Sequence, residues 1–240
     1  MATQHLHISY VPANGWVLTI MSRLLNSPDP QLRKAFEDWS DTPLMELGFA
    51  ITTRMRMLGL SIRRLNRQVS ALRDELNADL PQVEWCLAKN GAFTPKDKDL
   101  PHELLLDMDS FIFETRSLYE IMGKFLVHLF RALFGKAVTE ADLQARLSAN
   151  GIETRWIEEL RENRKLFFHQ TAPWLAVSVG DGMKFDPVML KRSVQTFDDP
   201  DSFVEFDRLR EIYDGFVESV TELNRFILEQ IRLHEEATAA

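Results

Sequence analysis

The chain has 240 residues, of which 45% are hydrophobic and 27% charged, and its formal net charge is −8. This amount of apolar material can build a sizeable core and excludes a disordered chain. The acidic balance excludes a general nucleic-acid coat protein, because phosphate binding depends on clustered lysine and arginine.

Cys86 is the only cysteine, so the chain can form neither an intrachain disulfide nor a thiolate cluster for zinc. Residues 1–10 lack a basic segment followed by an apolar stretch, and no later apolar run of membrane-spanning length is free of charge. We therefore predict a cytoplasmic protein without a membrane partner.

The N-terminal residues 1–40 are expected to form a helical extension, with one or two short helices around Trp16 to Leu25. A long helix should begin at Ser40-Asp41-Thr42-Pro43, which offers a capping residue and a proline in the first turn. It should end near Asn77-Ala78-Asp79. Its apolar residues recur every three or four positions, which is typical of a helix packed along a partner: Leu44, Ile51, Met55, Leu58, Ile62, Leu65, Val69, Leu72 and Leu76.

Four further helices follow from the same periodicity and from capping residues. They are expected at Pro101 to Phe134, Thr139 to Ser148, Thr154 to about His169, and Phe203 to His234. The long helices predict an all-α protein, an antiparallel four-helix bundle with extra N-terminal helices. No repeat or linker divides the chain, so we treat residues 1–240 as a single helical domain.

Residues 171–202 form an insertion before the last helix. Trp174 to Val179 reads as a strand before the turn Gly180-Asp181-Gly182, and a return strand near Met183 to Leu190 would complete a small β-hairpin. Pro187 interrupts that return strand and weakens the pattern.

Arg164 and His169 are the candidate reaction centre. A permanent guanidinium charge beside a histidine that titrates near neutral pH could cleave RNA without a metal ion. Arg164 falls on the apolar stripe of its helix, where a buried arginine needs a carboxylate, and Glu114 occupies a similar stripe on the second long helix. We predict that Glu114 faces Arg164, either in a catalytic site or as an ion pair that fixes the helix register.

His169 lies five residues beyond Arg164, about 140 degrees around an ideal helix, so the two side chains do not share a face. Pro173 disfavours helical geometry at Ala172, and a helix end here would let the imidazole turn toward a ligand. The alternative is a hydrogen-bonded structural histidine. The remaining histidines show no ligand spacing, so we predict neither a metal nor another cofactor.

Arginines crowd into the segment between Arg54 and Arg73. Arg56, Arg63, Arg64 and Arg67 are candidate RNA-binding residues, because clustered positive charge attracts a phosphate backbone. The alternative is an ordinary solvated helix face.

The segments Glu114-Thr115-Arg116 and Leu160-Arg161-Glu162-Asn163-Arg164-Lys165-Leu166-Phe167-Phe168-His169 resemble the HEPN superfamily. That family is marked by an arginine, four to six residues and a histidine on a small four-helix bundle. The resemblance covers residues 101–236, and many members are metal-independent endoribonucleases whose two signatures form one cleft in a homodimer.

The resemblance implies that a ribose 2′-hydroxyl attacks the adjacent phosphate while His169 handles a proton and Arg164 stabilises charge. Glu114 would orient Arg164, and Asn163 or Arg161 would add phosphate contacts. Lys165 departs from the family pattern, in which a polar residue such as Asn, Asp or His usually follows the arginine. The family also contains non-catalytic members that bind RNA, nucleotides or regulatory proteins, so an interaction module and a purely structural dimer remain alternatives.

Overall fold

The computed structural model describes residues 15–89, 91–169, 174–190 and 203–239, with the backbone alone at 41 and 163–169. Within these ranges the chain is mostly helical, as the sequence predicts, and it adds one three-stranded antiparallel sheet. In the same part of the chain, no helix combines the length and apolarity needed to cross a membrane.

The described residues contain eight α-helices. They are α1 (Gly15–Leu25), α2 (Pro30–Glu37), α3 (Pro43–Ala78), α4 (Leu80–Lys89), α5 (Leu100–Phe134), α6 (Glu140–Ala149), α7 (Arg155–His169) and α8 (Phe206–Ala239), with a short 3-10 turn at Asp38–Asp41. Six of them match predicted helices to within a few residues, and α2 falls within the segment expected to be a helical extension. Helix α4 was not predicted, because it buries only Val83 and Cys86 and shows no longer periodicity.

Helices α3 and α5 form the longest helix pair of the fold. Thr42 caps α3 by accepting a hydrogen bond from the Leu44 amide at 3.3 Å, and Pro43 occupies the first turn. Gly135, with φ of 63°, ends α5 in the left-handed conformation. Contacts between the two helices join later residues of α3 to earlier residues of α5, so the helices run antiparallel.

Helix α8 packs against α1, α5, α6, α7 and the sheet. The Trp16 indole Nε1 of α1 donates to the Val220 carbonyl of α8 at 2.7 Å, which satisfies a buried donor. On α5, the Phe125 ring lies edge-on to both Trp16 and Trp39, with centroids 5.8 and 5.7 Å away. These aromatic contacts tie the N-terminal helices to the main core.

The sheet contains the predicted hairpin. Strands β1 (Trp174–Gly180) and β2 (Lys184–Leu190) pair along their whole length, and β3 (Phe203–Glu205) pairs with residues 188–190 of β2. Pro187 lies outside the β2–β3 pairing, so its missing N–H costs no bond in that second ladder. Strand β3 was not predicted; it occupies the start of the segment assigned to the last helix, which therefore begins at Phe206.

The hairpin is held against α3 by Arg73. Its Nε donates to the Phe185 carbonyl at 2.7 Å and its Nη2 donates to Asp186 Oδ1 at 2.7 Å. Arg73 therefore belongs to an internal contact, although the sequence placed it in the same basic run as the candidate RNA-binding arginines.

Candidate functional site

Helix α7 carries the Arg/His signature. The predicted helix is confirmed, and its last residue is His169. The side chains of Asn163, Arg164 and His169 lie outside the described residues, so the predicted approach of Glu114 to Arg164 stays a prediction. The structure does place the backbone of α7, the helix that carries these three residues.

Trp156 near the start of α7 anchors this helix to α5 and α8. Its ring is edge-on to Tyr119 of α5 and Phe216 of α8, with centroids 5.2 and 5.9 Å away, and its Nε1 donates to Ser219 Oγ at 3.2 Å. A β-carbon on Gly215 would lie 2.5 Å from Trp156 Cδ1, closer than real contacts allow. The glycine therefore permits the close approach of α8 to α7.

Ile157 and Leu160 continue the buried face of α7, with exposures of 3% and 0%. They are the described members of the apolar stripe on which the sequence placed Arg164. Because residues three and four apart share a helix face, the stripe directs α7 toward α5 and α8. The predicted core role of this stripe is confirmed for these two residues.

Arg161 of α7 is exposed to solvent, at the edge of the buried face. Its Nη1 donates to Glu158 Oε2 at 2.9 Å, and both side chains are largely exposed. The neighbouring turn carries a second ion pair, between Arg155 and Glu159 at 3.0 Å, and Arg208 of α8 also contacts Glu159. An exposed guanidinium with one ion pair among the described residues, such as that of Arg161, can still exchange its partner for a phosphate.

Glu114 is buried in α5, with 6% of its surface exposed. Its Oε2 accepts a hydrogen bond from Arg54 Nη1 of α3 at 2.7 Å, and the Arg54 guanidinium lies 5.4 Å from the centre of the Phe113 ring. The expectation that Glu114 lies on a buried face of α5 is confirmed. Arg54 is a partner that the sequence reasoning did not identify.

A row of polar residues on α5 faces the arginines of α3. Arg64 Nε lies 3.1 Å from Oδ2 of the buried Asp107, which is within the distance of an ion pair. The two atoms do not have the geometry of a hydrogen bond. One turn farther along, Gln68 Nε2 donates to Glu103 Oε2 at 3.2 Å. The sequence spacing could have indicated this row of polar residues, because residues 103, 107 and 114 share one face of α5.

The four candidate RNA-binding residues therefore divide into two groups. Arg64 forms an ion pair with Asp107. In contrast, Arg56, Arg63 and Arg67 are exposed and form no ion pair with any described residue. Their spacing of seven and four residues places them on one face of α3. We call these three residues the open arginine stripe.

Among the residues that the structure describes, no group of three or more histidine, cysteine, aspartate or glutamate side chains could hold a metal ion. No family model, no curated protein and no solved structure matches this chain.

Proposed function

We propose that this chain is a HEPN-like RNA-binding protein, with a four-helix core in residues 101–236 and a metal-independent endoribonuclease site formed by Arg164 and His169 across a homodimer interface. The observation that carries RNA binding is the open arginine stripe. Three exposed guanidinium groups on one face of an otherwise acidic protein provide a local site for a polyanion.

The open arginine stripe is as long as a short segment of single-stranded RNA. At the helical rise of 1.5 Å per residue, Arg56 lies about 10 Å from Arg63 along the axis, and Arg63 lies about 6 Å from Arg67. Arginine forms paired hydrogen bonds with phosphate oxygens, so each member can hold one phosphate of a flexible single strand. Leu60, which is 45% exposed, lies between Arg56 and Arg63 on the same face and offers an apolar contact for a base.

The position of His169 supports the catalytic part of the proposal. His169 is the last residue of α7, and the unpaired carbonyls at the C-terminus of a helix carry a partial negative charge that attracts cationic groups. In the proposed reaction the ribose 2′-oxygen bonds to the adjacent phosphorus and the bond to the 5′-oxygen breaks. The products are a 2′,3′-cyclic phosphate and a 5′-hydroxyl. His169 transfers the proton of the 2′-hydroxyl to the departing 5′-oxygen, and Arg164 stabilises charge on the phosphate oxygens.

RNA binding is tested by fluorescence anisotropy with a labelled single-stranded RNA of about 20 nucleotides, long enough to span the stripe. The variant Arg56→Gln/Arg63→Gln/Arg67→Gln should weaken binding at least tenfold, equivalent to about 1.4 kcal/mol. The matched control is Lys89→Gln/Lys136→Gln/Arg232→Gln, which removes the same charge from exposed positions elsewhere. Equal losses in both variants would show a net-charge effect and contradict a local site.

Cleavage is tested with mixed RNA in the presence of EDTA. The wild-type protein should release fragments, and both Arg164→Ala and His169→Ala should abolish their release. Arg155→Ala is the control on the same helix, because its side chain is exposed, has no proposed role in the reaction and pairs with Glu159 among the described residues. Unchanged cleavage by His169→Ala would sink the enzymatic assignment, and sedimentation velocity should show a dimer.

A second candidate is a cytoplasmic, non-catalytic module that binds RNA, a nucleotide or a regulatory protein. Two observations favour it. Lys165 follows Arg164, and Arg54 and Arg64 of the basic segment are paired with the α5 carboxylates Glu114 and Asp107. Binding that depends on the open arginine stripe, without RNA cleavage at any concentration of wild-type protein, is the outcome that selects this candidate.

A further inference from the structure

A cavity of about 380 Å³ lies between α5, α6 and α8, and it contains none of the proposed RNA-binding or catalytic residues. Its floor is one face of α5, where Arg116, Glu120, Gly123 and Val127 follow one another at spacings of three and four residues. Its volume falls at the lower end of the range for small-molecule sites.

Arg116 is an incompletely paired polar group of this cavity. The side chain is 10% exposed and its Nε donates to Glu120 Oε1 at 2.7 Å. Its Nη1 is buried and has no hydrogen-bond acceptor among the described residues. A buried donor on a charged group is strongly destabilised when it is left unpaired, and a rotation of this guanidinium at the cavity wall would bring the donor to an oxygen atom of a ligand.

Gly123 supplies an independent observation on the same cavity. It lies in the interior of α5, where glycine is less favourable than alanine, yet a β-carbon there would meet no atom within 4 Å. Close packing therefore does not require the glycine. The missing side chain leaves the floor of the cavity open.

The charges around the cavity select the ligand. Two cations, Arg116 and Lys124, and two carboxylates, Glu120 and Glu140, line the cavity together with His128, so the lining offers no excess positive charge for a ligand with two negative charges. Burial raises the pKa of Tyr119 to about 12, with a smaller contribution from the negative charge of Glu140. The Tyr119 hydroxyl is therefore neutral.

The remaining wall is apolar. Val127 of α5, Leu143 of α6 and Leu223 of α8 line it, and these side chains favour a hydrocarbon body over a hydrated ion. We propose that this cavity binds a small monocarboxylate with a compact apolar body, whose carboxylate accepts hydrogen bonds from Arg116. The proposal is independent of RNA binding.

Isothermal titration calorimetry of the full chain tests the ligand class. Phenylacetate and hexanoate are the probes, phenylacetamide is the uncharged analogue, and inorganic phosphate is the competing anion. At least one carboxylate should bind, at least tenfold more tightly than phenylacetamide, which corresponds to about 1.4 kcal/mol. Absence of carboxylate binding, equal binding of phenylacetamide, or equal binding of phosphate would overturn the proposal.

Two variants test the location. Gly123→Leu should fill the cavity and reduce carboxylate binding at least tenfold while the helix is retained. Gly59→Leu is the matched control, because Gly59 is a helix-interior glycine of α3 where a β-carbon would also meet no atom within 4 Å, and it lies outside this cavity. Arg116→Gln should abolish the preference for phenylacetate over phenylacetamide. Wild-type affinity in a folded Gly123→Leu protein, or an equal loss in Gly59→Leu, would overturn the assignment.

Discussion

Trp156 of α7 and Gly215 of α8 are in contact so close that a β-carbon on residue 215 would lie 2.5 Å from the indole Cδ1. The indole also donates to Ser219 one turn farther along α8. Since α7 carries the Arg/His signature, this contact sets where the signature stands relative to α8.

Gly215→Ala should destabilise the protein by about 1–3 kcal/mol, because the new methyl group forces Trp156 and α7 away from α8. Gly59→Ala is the comparison, since a β-carbon there meets no atom within 4 Å. It should stabilise the protein by up to about 1 kcal/mol through helix propensity alone. Urea unfolding measures both changes, and a neutral Gly215→Ala would contradict the contact.

The Arg54–Glu114 pair should affect the free energy of unfolding mainly through the cost of leaving one partner without the other. Glu114→Leu should cost about 2 kcal/mol, because it leaves Arg54 partly buried without its carboxylate, and the 28% exposure of Arg54 reduces the penalty for a fully buried charge. Arg54→Leu/Glu114→Leu should recover most of this loss. A double-mutant cycle by urea unfolding measures the coupling, and additive costs would show that the pair is unimportant.

Asp109 of α5 should make stability fall as pH rises. Burial raises the pKa of Asp109, and its Oδ1 has no hydrogen-bond partner among the described residues, so the folded protein holds this proton more tightly than the unfolded chain. Stability is therefore lost as pH rises from the unfolded pKa of about 4 through the folded pKa. The measurement is Tm against pH for wild type and Asp109→Asn. The variant should gain stability relative to wild type across this window, whereas parallel curves would contradict the assignment.

The open arginine stripe should determine how salt affects RNA binding. Each phosphate contact on a single strand contributes about 0.7 to the slope of log affinity against log salt concentration. Replacing Arg56, Arg63 and Arg67 by glutamine should therefore reduce the slope by about 2. Anisotropy titrations at several salt concentrations measure it, and an unchanged slope would place the phosphates elsewhere.

Helices with strong caps and long apolar stripes were predictable. Thr42, Pro43 and Gly135 mark helix ends at positions that the structure confirms. Helix α4 and strand β3 were missed for a physical reason, since α4 buries only two residues and β3 has three residues in all. Elements this short depend on their neighbours and carry little periodic signal of their own.

The candidate site was predictable only in part. The pattern of α5 predicted that Glu114 is buried, but its contact with Arg54 depends on the register between two helices that are separated by a long stretch of chain. The same register pairs Arg64 with Asp107 and leaves Arg56, Arg63 and Arg67 exposed. Sequence spacing alone treats all of these arginines alike.

The sequence by itself determined the helical class, the main helix boundaries and the hairpin, because periodicity, capping and turn residues act over a few neighbouring positions. Tertiary structure alone decided which arginines are paired, how closely α7 approaches α8, and where Arg116 lies beside an open cavity. These properties depend on distances between residues far apart in the chain, and packing sets those distances.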